Sequence, residues 1–299
     1  MRHVRNISVD DGAGWKFAED FTHEPRNAVV EKLDGWFDGA EIEQTKVKRL
    51  GDGMMFGRMW RTERAFTVGV WQRLGSEQEV VAAARGVSGA FPSGMPDGTI
   101  TVTDEWATLS AEGVRLDGRP KVEHQRTRGL WVRWELPLVS SDPHLYGAVQ
   151  ETTAFTRTAG TGLEYQLFDD QDTGEMTGFL EFGEPLPSPL TLTNEGNAPA
   201  FPVVEVVGEM AGGFDLRLFG DRYGGPGRWG VTYRGDVRDR SPAVVDMAGS
   251  VTVAGRDQTW AAVSRDWAGV APGGSVTLQL RALSGGSGGA RMTLRSTYL

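Results

Sequence analysis

Two glycine-rich segments have the residue spacing of known catalytic or phosphate-binding motifs. Gly285–Gly289 fits the G-x-S-x-G pattern of a nucleophile elbow, but strands are predicted on both sides and no histidine follows Ser287. Gly225–Gly230 fits the G-x-G-x-x-G pattern, but a strand pattern follows where a helix N-terminus would have to hold the phosphate. The sequence therefore predicts a flexible hairpin tip over Ser284–Gly289 and a loop over Gly225–Gly230.

A third segment has a calcium-like spacing of acidic residues. Asp170, Asp172 and Glu181 stand at positions one, three and twelve of an EF-hand-like register. Glu175 occupies the position where the sharp turn of that loop needs glycine, and the flanks Leu163–Phe168 and Met176–Phe182 have strand patterns. We interpret the segment as an acidic hairpin tip, with incidental Ca²⁺ binding left open.

The remaining chemistry-bearing residues form no recognisable site. The histidines contain no i, i+2 or i, i+4 pair, and the absence of cysteine disfavours a zinc site; they are His3, His23, His124 and His144. The 40 acidic residues include no pair in a recognisable glycosidase setting. We assign no catalytic, cofactor-binding or metal-ligating residue, and we expect no cofactor and no enzymatic activity.

Length, charge and hydropathy narrow the class of protein. A chain of 299 residues predicts two domains. The formal net charge of −9 disfavours binding to nucleic-acid phosphates and to anionic lipid. No apolar run approaches the ~18 residues of a membrane span, and Asp10 and Asp11 do not fit a secretory signal. We therefore expect no specific nucleic-acid binding and no membrane segment.

The elements that must position these residues are predominantly strands. Apolar and polar residues alternate with the period of half-buried antiparallel strands, and 41 glycines indicate many tight turns. Ser76–Glu79 is a capping box followed by apolar residues at helical spacing, which predicts a single short helix over 77–85 that ends at Gly86. The strand patterns include Ala65–Arg73, Gly98–Thr103, Leu130–Leu136, Gly230–Arg234, Val276–Leu283 and Met292–Leu299.

Turn-forming residues divide this all-β pattern into two parts. Ser140–Pro143 ends a tryptophan-rich strand, and a new series of strands begins after Gly147. We predict domains over residues 1–144 and 145–299, with an extended connector at the three prolines of Gly183–Pro189.

Exposed aromatic residues would be the strongest hint of a binding surface. The chain has ten tryptophans, for which we favour roles in the core or in subunit contacts. Stacking of some of them on sugar rings is an alternative that stays open. The apolar run Met54–Trp60 is either a buried strand or an oligomer contact, and the sequence does not separate the two.

Four stretches carry motifs that local strand patterns do not explain: Arg58–Gly69, Ser141–Tyr146, Asn194–Gly208 and Trp267–Leu278. The third combines Asn-x-Gly, paired prolines and a strand, and the fourth comes before a last strand that ends at Thr297–Leu299. Together the four stretches resemble the distal tail proteins of long-tailed, non-contractile bacteriophages. The first resembles the strand pair before the single helix of that family's ring domain, and the second resembles the family's Asp-Pro-x-x-Tyr turn.

This resemblance implies a structural virion protein with two β-sandwich-type domains, the second galectin-like. The first domain would form a hexameric ring at the tail tip that continues the tail tube and lets DNA pass, with part of the acidic excess lining the channel. Expected partners are the tail tube, hub, tape-measure and adhesion or receptor-binding proteins. The protein would be made in the bacterial cytoplasm and would be located at the tail tip of the assembled virion. The alternatives are a lectin-like carbohydrate-binding module and a β-sandwich glycoside hydrolase.

Overall fold

The computed structural model describes residues 4–22, 27–49, 52–94, 96–127, 129–156, 190–284 and 286–299. Antiparallel sheets dominate these residues, which include one α-helix, and the all-β fold class is confirmed. The chain forms two compact units, one running to Ala148 and including Thr297–Leu299, the other Val149–Ser296. The predicted boundary at 144/145 stays a prediction. Asp170, Asp172, Glu181 and Gly183–Pro189 lie outside the described residues.

The described residues of the first unit form ten strands, the helix and the start of an eleventh strand. The elements are β1 (Asn6–Asp10), β2 (Lys16–Asp20), β3 (Ala28–Asp34), β4 (Ile42–Lys48), β5 (Met54–Arg61), β6 (Arg64–Arg73), α1 (Glu77–Gly89), β7 (Gly98–Thr103), β8 (Thr108–Leu116), β9 (Lys121–Gln125), β10 (Trp131–Ser140) and β11 (Leu145–Phe155). The sheet order within this unit is β3-β6-β10-β8. In addition, β7 pairs with β8 and β1, β2 pairs with β1, and β9 pairs with β10, while β4 and β5 form a separate hairpin.

Alternation along the central strands builds the core of this unit. In β6 the buried apolar side chains are Phe66, Val68 and Val70, and in β10 every second residue from Val132 is buried. The register places Val70 opposite Trp134 and Val68 opposite Leu136, so that these side chains lie on one face of the sheet. The period-two prediction for both strands is therefore confirmed.

Helix α1 begins where the capping box predicts and ends later than expected. The Ser76 hydroxyl accepts a hydrogen bond from the Glu79 amide at 3.2 Å, while the Glu79 carboxylate accepts one from the Gly75 amide at 2.9 Å. The predicted end at Gly86 is wrong, because the helix continues to Gly89. Gly86 instead gives room for the Trp15 side chain, whose Nε1 would lie 2.9 Å from a Cβ at that position. Among the described residues, no helix has the length and hydropathy of a membrane span.

Two glycine substitutions in α1 should have opposite effects on stability. Gly→Ala inside a helix normally stabilises by roughly 0.5–1 kcal/mol. Gly89→Ala should approach that gain because nothing lies within 4 Å of its Cβ position. Gly86→Ala should instead destabilise by roughly 1–3 kcal/mol, because the methyl group overlaps the rigid Trp15 indole. Urea unfolding of both variants measures the contrast, and a stabilised Gly86→Ala protein would contradict the close packing.

The second unit is a sandwich of two antiparallel sheets. One sheet has the order β18-β17-β16-β13-β21-β11 and the other β12-β20-β14-β15-β19. Buried residues of both, such as Val204 and Leu218, belong to one hydrophobic cluster. The strands are β12 (Leu192–Thr193), β13 (Val203–Glu209), β14 (Phe214–Arg222), β15 (Gly225–Tyr233), β16 (Ala243–Asp246), β17 (Ser250–Val253), β18 (Arg256–Asp257), β19 (Ala262–Asp266), β20 (Ser275–Ala282) and β21 (Ser287–Tyr298), with a 3₁₀ turn at Thr259–Ala261.

Both glycine-rich motifs contain residues that belong to strands. Gly225–Gly230 is the first part of β15 rather than the predicted loop, and it pairs with β14 across a two-residue turn at Tyr223–Gly224. β21 starts at Ser287, so the predicted hairpin tip over Ser284–Gly289 is too long at its C-terminal end. Backbone hydrogen bonding to a neighbouring strand outweighs the weak strand propensity of glycine in both places.

Two of the stretches behind the phage resemblance contact each other in this unit. Asn194 is completely buried, and its side-chain amide donates to the Ala198 carbonyl at 2.7 Å and to the Val270 carbonyl at 3.2 Å. Its Oδ1 accepts from the Gly196 amide at 3.1 Å, which explains the Asn-x-Gly spacing. Ala200 and Val270 form a two-way backbone bridge beside it.

Candidate self-association interface

The β4–β5 hairpin is an apolar surface that is exposed to solvent. All eight residues of β5 are exposed, including Phe56 at 66% and Met59 at 62%. Among the described strands, β4 and β5 pair only with each other. The buried-strand interpretation of Met54–Trp60 is therefore wrong. Contiguous exposed apolar surface of this kind marks interaction sites in proteins, so the oligomer contact remains as a proposal.

The register distributes apolar side chains over both faces of the hairpin. Gln44 pairs with Met59, and Lys46 pairs with Phe56. The single residue of β4 between these pairs therefore lies opposite two residues of β5, Gly57 and Arg58, which is a β-bulge. The first face then carries Ile42, Met54, Phe56 and Met59, and the second carries Val47, Met55 and Trp60. A hairpin that is apolar on both faces can bury both only when it lies between other protein surfaces.

The hairpin is also basic, unlike the chain as a whole. Residues 41–61 contain five basic and three acidic side chains, against a formal net charge of −9 for the entire sequence. One of the three acids, Glu43, accepts a hydrogen bond on its carboxylate from Trp60 Nε1 at 3.1 Å. A basic apolar surface favours contact with an acidic surface on its partner. A second copy of this chain offers acidic groups, because acidic residues outnumber basic ones over the whole sequence.

Arg64 holds the base from which the hairpin extends. Its side chain is only 2% exposed, and its three hydrogen-bond acceptors are backbone carbonyl oxygens: Trp36 at 3.0 Å, Asp38 at 2.6 Å and Pro143 at 3.0 Å. Burial and the nearby Arg61 lower the pKa of Arg64, but a guanidinium stays charged in proteins. The buried cation thus connects the loop before β4, the start of β6 and the turn after β10.

The turn after β10 is the Asp-Pro-x-x-Tyr stretch, and its aspartate accepts three hydrogen bonds. Asp142 accepts from the His144 amide at 3.0 Å, from His144 Nδ1 at 2.7 Å and from the Tyr146 hydroxyl at 2.5 Å. Burial opposes ionisation of this carboxyl, but the hydrogen bonds from His144 and Tyr146 outweigh it and lower the pKa of Asp142 to about 2. The first two stretches of the phage resemblance therefore meet at Arg64 and Pro143.

The first unit should lose stability in acid, because protonation of Asp142 removes the stabilisation that its carboxylate provides. Because its pKa is lowered on folding, its stabilising contribution is present above the unfolded value of about 3.9 and is lost as pH falls towards about 2. We expect Asp142→Asn to lower the unfolding free energy at pH 7, and the gap from wild type to narrow by pH 2.5. Urea unfolding at both pH values measures this, with the exposed Asp239→Asn as control. An unchanging gap would contradict the assignment.

The structure separates the tryptophans by role. Trp36, Trp134 and Trp229 are buried in the two cores, as the core interpretation predicts. Trp60, Trp106 and Trp260 are exposed, which local alternation did not indicate. Of the histidines, His144 contacts Asp142 and His124 lines a cleft beside α1, while His3 and His23 lie outside the described residues. Within the part of the chain that the structure describes, no three acidic or histidine side chains gather as a metal site.

The fold of these two units is similar to the folds of a phage hub protein and of a phage baseplate chain. The solved Dit protein (gp 19.1) of phage SPP1, from a hub adsorption apparatus, superposes with a TM-score of 0.57 at 16% identity, covering 98% of this chain and 99% of that one. A chain of the phage P2 baseplate in its activated conformation gives 0.50 at 9% identity, covering 99% and 98%. No protein-family model and no curated protein matches the sequence. The resemblance to distal tail proteins is thus confirmed as a likeness of fold.

Proposed function

We propose that this protein is a structural component of a bacteriophage tail tip, a distal tail protein whose copies assemble into a ring. The observation that carries the proposal is the exposed apolar hairpin Ile42–Arg61, on a fold that matches a phage hub protein over nearly its full length. Contiguous exposed apolar surface of this kind marks interaction sites in proteins, which favours a partner that covers it. The role is mechanical and needs no catalytic group.

The finer features of the proposal come from the family resemblance. The ring is hexameric, joins the tail tube to the adhesion apparatus and lets DNA pass through a channel lined by part of the acidic excess. The domains are residues 1–144, which form the ring, and residues 145–299, a galectin-like sandwich that faces the adhesion proteins. Head-to-tail contacts between unlike patches close such a ring when the rotation between copies permits it. The protein is made in the host cytoplasm and works in the virion.

The oligomeric state tests this proposal. Light scattering coupled to size exclusion, over a concentration series, should show a species of six chain masses, and negative-stain images should show rings with a central channel. Covalent cross-linking before chromatography retains weak assemblies. A protein that stays monomeric at the highest concentration, even after cross-linking, would contradict the ring.

A carbohydrate-binding second unit is the other candidate, and Trp260 is the observation that favours it. This side chain follows the short strand β18 in a 3₁₀ turn and is 75% exposed. An exposed indole face can stack on a sugar ring. Saturable binding on a glycan array that Trp260→Ala abolishes would support this function, and unchanged binding by the variant would exclude this residue as the platform.

A further inference from the structure

The turn between β7 and β8 has a hydrogen-bonded backbone and presents an exposed tryptophan beside an acidic residue. Asp104 Oδ1 accepts hydrogen bonds from the backbone amides of Trp106 at 2.7 Å and of Ala107 at 2.8 Å. The hydroxyls of Thr103 and Thr108 bond to each other at 3.0 Å below the turn. The turn is therefore ordered, yet the Trp106 side chain is 78% exposed. We call residues 104–107 the Trp106 tip.

A cleft of about 450 Å³ lies between α1 and β9 of the same unit. Its apolar lining comes from Val81, Ala84 and Val122, and its polar lining includes Arg85, His124 and Arg126. Among the described residues, Glu77 forms a long ion pair with Arg126, with its Oε1 4.0 Å from the guanidinium. The cleft thus combines an apolar lining with basic side chains, on a chain whose net charge is −9.

The tip and the cleft are complementary in size and charge. A volume of this order accommodates an indole together with an adjacent carboxylate, and Glu105 stands next to Trp106 in the tip. Apolar contact with Val81 and Val122 would bury the ring, while Arg85 and Arg126 would face the carboxylate. Tryptophan is enriched among interface hot spots, which are typically surrounded by contacts that exclude water.

One end of the cleft and the Trp106 tip lie towards opposite ends of β7. Gly89, the last residue of α1, lines the cleft. Phe91, two residues later, packs against the start of β7, where a Cβ at Gly98 would meet its ring. The Trp106 tip follows the other end of this strand, whose six residues span about 20 Å. Two unlike patches placed in this way would form a head-to-tail contact between copies, the kind that closes into a ring.

We propose that the Trp106 tip of one copy inserts into the α1–β9 cleft of the next copy. This inference rests on the self-association proposed above and names one of its contacts. The hairpin β4–β5 supplies a separate surface, so the two can be tested apart.

Cross-linking tests the contact directly, because the chain has no cysteine of its own. The double variant Glu105→Cys with Arg126→Cys should give a ladder of oligomers with a short bis-maleimide. Each single variant should give at most dimers, and Glu105→Cys with the exposed Arg240→Cys serves as the control pair. A ladder specific to the first pair supports the contact. Wild-type assembly without that ladder would overturn the inference and leave the ring intact, whereas absence of both would overturn both proposals.

Substitutions give an independent measure. Trp106→Ala should weaken association about tenfold or more, while Trp260→Ala, which removes an equally exposed tryptophan from the second unit, should not. Glu105→Lys and Arg126→Glu should each weaken association, and the double variant should recover it because the charges are exchanged. If Arg126→Glu alone weakens assembly and the tip variants do not, another occupant fills the cleft and the inference is wrong.

Discussion

Replacing Phe56 and Met59 with lysine is expected to abolish ring formation and leave the fold unchanged. Both side chains lie on the first face of the β4–β5 hairpin and are more than 60% exposed, so their loss removes almost nothing from either core. In an assembled ring they would be buried, and each lysine would bring an unpaired charge into an apolar contact. We expect association to weaken about a hundredfold or more, in the range of two lost hot-spot residues.

Sedimentation measures the association, and circular dichroism with thermal unfolding measures the fold. Val263→Lys is the matched control, since it replaces an exposed apolar residue of the second unit. The pair Met55→Lys with Trp60→Lys changes the second face of the hairpin and shows whether both faces are covered in the ring. An oligomer that survives all four lysines would exclude the hairpin as the interface.

Replacing Arg64 with alanine is expected to lower the free energy of unfolding more than any of the other single substitutions proposed above. Arg64→Ala would leave the carbonyl oxygens of Trp36, Asp38 and Pro143 without their donor and create a cavity in a site that is 2% exposed. A hydrogen bond to a charged group is worth about 1.5–3 kcal/mol. With partial rearrangement, the free energy of unfolding should fall by about 3–5 kcal/mol.

For a unit of this size, that loss corresponds to a decrease of roughly 10 °C in the unfolding temperature. Arg64→Lys should recover little, because a single ammonium cannot reproduce the planar fork that reaches three carbonyls. The exposed Arg61→Ala serves as the control and should change stability by less than about 0.5 kcal/mol. A comparably small effect of Arg64→Ala would show that the base of the hairpin is held by other contacts. Because this base supports the candidate interface, Arg64→Ala should also weaken ring formation.

The local pattern predicts the elements of this fold well. Alternation along Ala65–Arg73 and Leu130–Leu136 predicts both central strands of the first unit, and the capping box at Ser76 predicts where the only described helix begins. These features depend on residues a few positions apart, so they are visible without the tertiary structure. The end of the helix is not visible in the local pattern, because Gly86 lies inside the helix and makes room for the distant Trp15 side chain.

The candidate interface could be predicted only in part. The apolar composition of Met54–Trp60 indicates either a buried strand or a contact, and only the observed exposure separates these alternatives. The basic cleft needs α1 and β9 to be adjacent, although more than thirty residues of chain separate them. No spacing rule connects Arg85 on the helix to Arg126 after the strand, so the sequence carries no local signal for this site.

The sequence by itself therefore determined the β character of the chain, the position of its helix start and the turn chemistry of Asp142. Short-range periodicity and side-chain hydrogen bonds to nearby backbone decide these features. The tertiary structure alone decided that Arg64 is buried, that Phe56 and Trp106 face solvent, and that a basic cleft accompanies them. The burial of these particular residues depends on which distant segments pack against them, and neither their residue types nor their immediate neighbours indicate it.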